Sequence, residues 1–426
     1  RDNVFVYLSD LFFRRFVDPA FRIEMTRRAA AEAEMELVEL ARAAALMEGQ
    51  PHDSLEQLIS GGFLPADFGA RTDGTSVVLR DGRVVDTVRG ARGVFLPVAD
   101  VPVEKVTVSE LEGYQNFASQ YRRIWQWMDP AVLALRRTVD DAGEQIVGDL
   151  HVYPYPRREM GFLDMLQIQK TTTKLAPIPG TLLVAEAHVL GGQPMVAGIS
   201  DFVPSLVLKD GVLEGNRIDG VHSPFFFGGR GKQFLLQILG VPSSADVSEG
   251  EIRDLKEQKD HSVRHLLQTN EFRLGSFGRD ALLPLVGNLK LMEAERPAEL
   301  RIHVGDLAKA KVAPGFHAAI WQEANRITDG HLVLLNRLVT QLHASPDEAL
   351  ELAERILNAR PAPLLGDRYG AQRTFAGGRV VTTSRASVDD FRSPFLQRFR
   401  GGEFELTTEG TTLTSHFEVR LDPERN

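Results

Sequence analysis

The chain has 426 residues, carries 49 Lys+Arg against 58 Asp+Glu for a formal net charge of −9, and contains no cysteine. The missing thiols exclude disulfides, thiolate metal sites and cysteine nucleophiles, and the acidic balance argues against nucleic acid or an anionic membrane as a whole-surface partner. With 43% hydrophobic residues a sizeable core can be buried, yet no apolar run approaches the roughly 20 residues of a membrane-spanning helix.

At about 100–200 residues per domain, the length predicts two or three domains. The first residue is Arg1, so the chain reads as a fragment or a processed product. In chain order, Val4 to Leu8 predicts a buried strand, and Ser9 or Asp10 caps a short helix after it. Residues 23–48 set Ala, Glu, Met, Leu and Arg at helical spacing and predict a long helix stopping at Gly49. A second helix covers 53–60 and ends at Gly61-Gly62. Asp73-Gly74 and Asp81-Gly82 flank Val77-Val78-Leu79, so 75–97 reads as short antiparallel strands. Residues 108–128 return to helix, with Ser109 and Glu112 as a capping box and an apolar stripe from Tyr114 to Met128.

The middle of the chain is strand-rich. Residues 181–190 and 195–203 are joined by Gly191-Gly192, and Leu206–Leu208 meets Val212-Leu213 across Asp210-Gly211. Helices are expected over 228–239, 250–268, 278–293, 316–326, 331–342 and 346–358. Strands at 379–384, 403–407 and 411–420 close the chain, the last two turning at Glu409-Gly410.

Two stretches echo each other. Pro51-His52-Asp53-Ser54-Leu55-Glu56 leads through Phe68-Gly69 to Gly82-Arg83-Val84-Val85, and Pro346-Asp347-Glu348-Ala349-Leu350-Glu351 leads through Tyr369-Gly370 to Gly378-Arg379-Val380-Val381. Each follows a long helix, which predicts a repeated unit of helix, short helix and hairpin. The expected fold class is therefore α+β: an antiparallel central sheet at roughly 130–215, flanking helices and two related helix-plus-β-hairpin units. The expected domains are 1–107, 108–300 and 301–426.

Chemistry is sparse. Phe225-Phe226-Phe227-Gly228-Gly229-Arg230-Gly231-Lys232 invites a phosphate-loop reading, but Phe226 and Gln233 stand where a P-loop needs Gly and Ser or Thr. Nucleotide hydrolysis is rejected. Gly228, Gly229, Arg230, Gly231 and Lys232 remain an anion-binding candidate at the start of the expected helix. His261 and His265, four apart on an expected helix, would share a face at zinc-site spacing with Glu257 and Asp260 nearby; Ser262 stands where a zincin has Glu, and the charged run around them reads as a solvated face. Glu186 and His188 share one face of a strand by period two. His303 and Asp306 are expected to hydrogen-bond at a strand-to-helix turn, Asp306 capping a helix from Leu307. Trp127 leaves the apolar stripe and is a candidate partner-surface residue. No Gly-x-Ser-x-Gly elbow occurs.

Arg301-Ile302-His303-Val304-Gly305-Asp306-Leu307, with the helices and second repeat that follow, resembles a segment of large uncharacterised proteins of planctomycetes and related bacteria. Val6-Tyr7-Leu8-Ser9-Asp10 with Arg14-Arg15, Glu112-Gly113-Tyr114 and Met128-Asp129-Pro130 resemble other parts of that group. Its members carry Cys and Gly-Gly around the second hairpin, where this chain has Pro363 and Gly366-Asp367. The resemblance implies a bacterial origin and no particular activity. The leading expectation is a non-catalytic structural or protein-interaction module of a bacterial envelope or secreted protein. It would need no cofactor, take a protein partner or a second copy, and sit by preference in the periplasm. The alternatives are a metal-dependent hydrolase or transferase whose site is assembled from distant residues around His261 and His265, and a carrier of an apolar ligand.

Overall fold

The computed structural model describes residues 4–69, 71, 73–124, 130–140, 143–153, 168–189, 193–204, 206–209, 212–215, 223–230, 248–255, 263–269, 271–366, 368–373 and 379–423. Its helices are α1 (Asp10–Phe16), α2 (Pro19–Met47), α3 (Leu55–Ser60), α4 (Val108–Ile124), α5 (Ala313–Gln341), α6 (Pro346–Leu357) and α7 (Pro394–Arg398). The strands are β1 (Val4–Leu8), β2 (Val77–Arg80), β3 (Arg83–Asp86), β4 (Gly90–Ala91), β5 (Ala131–Asp140), β6 (Gly143–Val152), β7 (Thr171–Leu175), β8 (Thr181–Val189), β9 (Gln193–Ser200), β10 (Leu206–Lys209) and β11 (Val212–Gly215). They continue with β12 (Phe225–Gly229), β13 (Ile252–Asp254), β14 (His265–Gln268), β15 (Arg273–Ser276), β16 (Leu291–Ala298), β17 (Leu300–Val304), β18 (Tyr369–Arg373), β19 (Arg379–Thr383), β20 (Phe399–Glu409) and β21 (Thr412–Leu421). The fold is α+β, with a large antiparallel sheet and flanking helices. Among the described residues no helix is long and apolar enough to cross a membrane.

The chain divides into two compact units, each discontinuous in sequence: 1–10, 127–320 and 391–426 form one, 11–126 and 321–390 the other. This division does not follow the partition at 107 and 300. Both helix-plus-hairpin segments fall in the second unit.

The first unit is built on a 12-stranded sheet of order β1-β5-β6-β21-β20-β17-β8-β9-β12-β15-β14-β13. The C-terminal hairpin β20–β21, turned at Gly410 with φ 56°, inserts between β6 and β17. The sheet therefore reaches well beyond 130–215. Its core joins Val184, Val196, Phe226, Leu267 and Leu274 to Leu282 and Leu285 of a 3₁₀ turn over Arg279–Leu285. Phe226 lies directly opposite Gly198, where a Cβ would sit 2.4 Å from the ring, so the glycine admits the aromatic across the strand.

Several expected elements differ. The span 250–268 is strand at both described ends, not helix. Val263, Leu266 and Leu267 mimic helical spacing, but all three are fully buried around a strand covered on both faces. Gly228 and Gly229 end a strand instead of opening a helix, and 231–239 lies outside the described residues. The span 278–293 is the 3₁₀ turn, with Pro284 inside it, followed by β16. β1 is exposed, not buried.

In the second unit, α2 has 29 residues and is capped by the Asp18 side chain, which accepts from the Phe21 amide at 3.1 Å. α5, of which the residues from Trp321 on belong to this unit, also has 29 residues and runs through Gly330 as one helix where two were expected. α3 opens on a Ser54–Gln57 capping box and α6 on Ser345–Glu348. After α3, Leu58 joins Met35, Val38, Val77 and Val84 in one core cluster; after α6, Leu352 and Ala353 join Leu335, Leu338, Tyr369 and Val381 in another. The element order is thus the same in both segments. The box that opens α4 is Thr107–Glu110, upstream of the expected Ser109–Glu112.

Candidate functional site

Gly228 and Gly229 of the glycine-rich run are the last two residues of β12. A Cβ on Gly228 would come within 2.1 Å of the Arg273 carbonyl oxygen, and one on Gly229 within 2.5 Å of the Pro194 oxygen. These glycines serve close strand approach. Arg230 pairs with Glu271 at 3.4 Å. Gly231 and Lys232 lie outside the described residues, as do His261 and Trp127. His265 sits on a strand, so the shared helical face expected for the zinc pair does not form there. Its Nδ1 stands 2.9 Å from Asp254 Oδ1, which also accepts from Arg279 at 2.8 Å. These two partners, His265 first, hold the Asp254 carboxyl below its usual range. Among the described residues no group of three or more His, Asp or Glu could hold a metal ion. Asp306 caps a turn, accepting from the Ala308 and Lys309 amides at 3.1 and 3.3 Å; the helix begins only at Ala313.

Among the described residues of the first unit, one polar cluster is a row across neighbouring strands. Asp149 on β6, His416 on β21, Glu405 on β20, Arg301 on β17 and Glu186 on β8 stand directly opposite one another in turn. Directly opposed residues of antiparallel strands share a face, so all of them project to one side. His416 Nδ1 lies 2.7 Å from Asp149 Oδ1. Arg301 donates to Glu405 at 3.1 Å, to the carbonyls of Thr173, Thr171 and Arg296, and lies 3.7 Å from Glu186 Oε1. The next row along pairs His303 with Glu403, 3.8 Å apart, and Glu403 accepts from Lys174 at 2.8 Å. The β7 strand supplies the Leu175 amide, which donates to Glu186 Oε2 at 2.6 Å.

A cavity of about 30 Å³ lies among Lys174, Leu175, Ile178, Glu186, Arg301 and His303, enough for a water. Burial pushes the Glu186 carboxyl up, against the Leu175 amide and Arg301, which pull it down. Burial likewise pushes the His303 imidazole down, while Glu403 raises it. Glu186 Oε1 and His303 Nδ1 carry no hydrogen-bond partner. The space matches a guest the size of a water. The row also specifies strand register, because a slip by one residue would drive these charges through to the other face.

The second feature is the outer edge of the sheet. β1 pairs with β5 from Val4 opposite Leu135 to Leu8 opposite Ala131, and it is the terminal strand. Among the described residues nothing pairs with its other edge. Val4 is 47% exposed, Phe5 64%, Val6 39% and Tyr7 56%. Successive side chains point to opposite faces, so both faces of the strand are open. None of its five residues is charged.

No family model, curated protein or solved structure matches this chain.

The polar row is only partly legible in the sequence. Glu186 stands out through its alternation with His188, and His303 through its turn. Arg301, Glu403, Glu405, His416 and Asp149 do not, although Arg301/His303, Glu403/Glu405 and His416/Glu418 show the same period-two spacing of polar residues that marks one strand face.

Proposed function

We propose that the chain is a non-catalytic structural and protein-interaction module of a bacterial envelope or secreted protein, and that it makes its contact through the free edge of β1. The observation that carries this reading is a terminal strand with four large apolar residues exposed and no charge along it. An unpaired edge presents a row of backbone donors and acceptors that will template another strand. Folded proteins normally blunt such edges with Lys, Pro, bulges or a cover, and Val4 to Leu8 carries no Lys or Pro. Strand addition at this edge would satisfy the backbone while covering Phe5 and Tyr7, at roughly 25 cal/mol per Å² of apolar area buried.

The test is a photo-crosslinking residue placed at Phe5 in bacteria producing the chain, with the same residue at exposed Glu112 as control. Protein adducts at Phe5 and none at Glu112 are expected. A Phe5 probe that captures no protein at all removes the reading.

A further inference from the structure

We infer that the occupant of the β1 edge is a second copy of this chain, paired β1 to β1 in antiparallel register about a two-fold axis at Val6. The inference rests on the edge reading above and names its partner. Val-Phe-Val-Tyr-Leu has the same chemistry in both directions: aliphatic, aromatic, aliphatic, aromatic, aliphatic. An interface between identical copies about a two-fold axis must be self-complementary, residue i meeting j while j meets i. Antiparallel pairing centred on Val6 meets that demand. Phe5 stands opposite the second copy's Tyr7, Val4 opposite its Leu8, and Val6 opposite its own counterpart. Phe5 and Tyr7 lie on one face of the strand by period two, so two copies gather four aromatic rings on that face and the aliphatic residues on the other.

Charge supports the same occupant. A chain of net charge −9 resists indiscriminate association with itself, but self-pairing at β1 sets no like charges opposite one another, because the strand has none. The far edge of the sheet is built differently. β13 has three residues, among them Arg253 and Asp254, both exposed, and Asp254 is tied to His265 and Arg279. That edge is short and charged, the usual protection against pairing. One edge of the same sheet is blunted and the other is not.

The two-fold axis gives a direct test, because the chain contains no cysteine. Val6→Cys places the only thiols of the two copies side by side at the axis, whereas Val139→Cys places one on an exposed stretch of β5 away from it. Under mild oxidation the first is expected to give a covalent dimer nearly completely and the second none. Sedimentation of the full chain is expected to show a dimer. Val6→Lys sets two ammonium groups against each other and is expected to return the monomer with an unchanged circular dichroism spectrum. Phe5→Lys is expected to do the same, and the double variant Phe5→Lys/Tyr7→Glu to restore the dimer, since opposite charges then face each other between copies. A wild-type chain that sediments as a monomer, with no disulfide at position 6, overturns the self-pairing. If the Phe5 photo-crosslinker still captures a different protein, the edge reading survives that failure; if it captures nothing, both fall. A dimer that persists in Val6→Lys and Phe5→Lys forms elsewhere and also overturns the inference.

Discussion

Arg89 clasps Glu24 through two parallel bonds, Nε to Oε1 and Nη2 to Oε2, each 2.9 Å, with both side chains only 1% exposed. The pair ties the long helix α2 to the segment after β3, and the same guanidinium reaches Asp73 at 3.0 Å and Asp86 at 3.3 Å. A buried bidentate pair is not strongly stabilising against an apolar replacement of both partners, but breaking it strands a charge in a dry site. Arg89→Met is therefore expected to cost roughly 3–5 kcal/mol in urea unfolding. Arg89→Met/Glu24→Gln is expected to recover part of that loss, since in the single variant Arg28, 3.0 Å from Glu24 Oε1, is the one cation left among the described residues to hold that buried carboxylate, and the double variant removes its charge. A double variant as unstable as the single one would refute the coupling.

The acid limb of stability is predicted from the same cluster. Burial alone would raise the Asp73 carboxyl, but the Thr75 hydroxyl and amide at 2.7 and 3.0 Å, together with Arg89, hold it down at about 2. Asp86 is likewise held low, its burial outweighed by the Arg89 and Val88 amides and by Arg71. A depressed carboxyl contributes stability that is complete above its unfolded value, here 3.8, and is lost as pH falls through the folded value of about 2. For Asp73, 7% exposed, this amounts to about 2 kcal/mol. Asp73→Asn is expected to flatten the slope of unfolding free energy against pH in that window. The slope is the readout, because the substitution also shifts the midpoint at neutral pH. An unchanged slope would place the acid sensitivity elsewhere.

What could be read in advance followed local periodicity. Residues 23–48 and the Glu409-Gly410 hairpin obey one period each, and both elements formed. Val263, Leu266 and Leu267 did not announce a strand, because a strand buried on both faces loses its alternation and i, i+3, i+4 becomes indistinguishable from a helix face. Val4 to Leu8 reads as buried for a related reason: an apolar run states that burial is favourable, not that anything lies on top of it. The row from Asp149 to Glu186 depends on β20–β21 lying between β6 and β17. That strand order is a property of pairing across more than a hundred residues, and no window of sequence contains it.

Glu186 and His303 predict opposed pH slopes within one cavity. The groups facing them are Arg301, Lys174, Glu403 and Glu405, with Arg420 acting on His303 from β21. Burial raises Glu186 above 4.5, so the folded chain holds that proton more tightly than the unfolded one. Its contribution is full below 4.5 and lost as pH rises through the raised value. Burial lowers His303 below 6.5, so the unfolded chain takes the proton that the folded one refuses. That contribution is full above 6.5 and lost as pH falls through the lowered value. Glu186→Gln keeps an oxygen for the Leu175 amide, and is expected to leave stability rising with pH just below 6.5. His303→Asn is expected to leave it falling just above 4.5. Thermal melting across that interval reads both, and equal slopes in the two variants would contradict the assignment.

Two glycines of opposite consequence close the set. At Gly228 a Cβ would lie 2.1 Å from the Arg273 carbonyl oxygen and 2.8 Å from Leu274 Cα, both backbone atoms of the neighbouring strand beside the core. Neither can swing aside as a flexible side chain would, so Gly228→Ala must part β12 from β15. The expected loss is roughly 1–3 kcal/mol, as for other overpacked sites. At Gly330, exposed on α5, nothing lies within 4 Å of the added carbon. Gly330→Ala should therefore stabilise by about 0.5–1 kcal/mol through helix propensity and a less flexible unfolded chain. The two variants compared in urea separate steric strand spacing from a general intolerance of substitution. Inorganic phosphate serves as the control: it is expected to leave the melting temperature of the wild type unchanged. A rise that Gly228→Ala or Arg230→Ala abolishes would restore the turn from Gly228 to Lys232 as an anion site and deny the glycines a purely steric role.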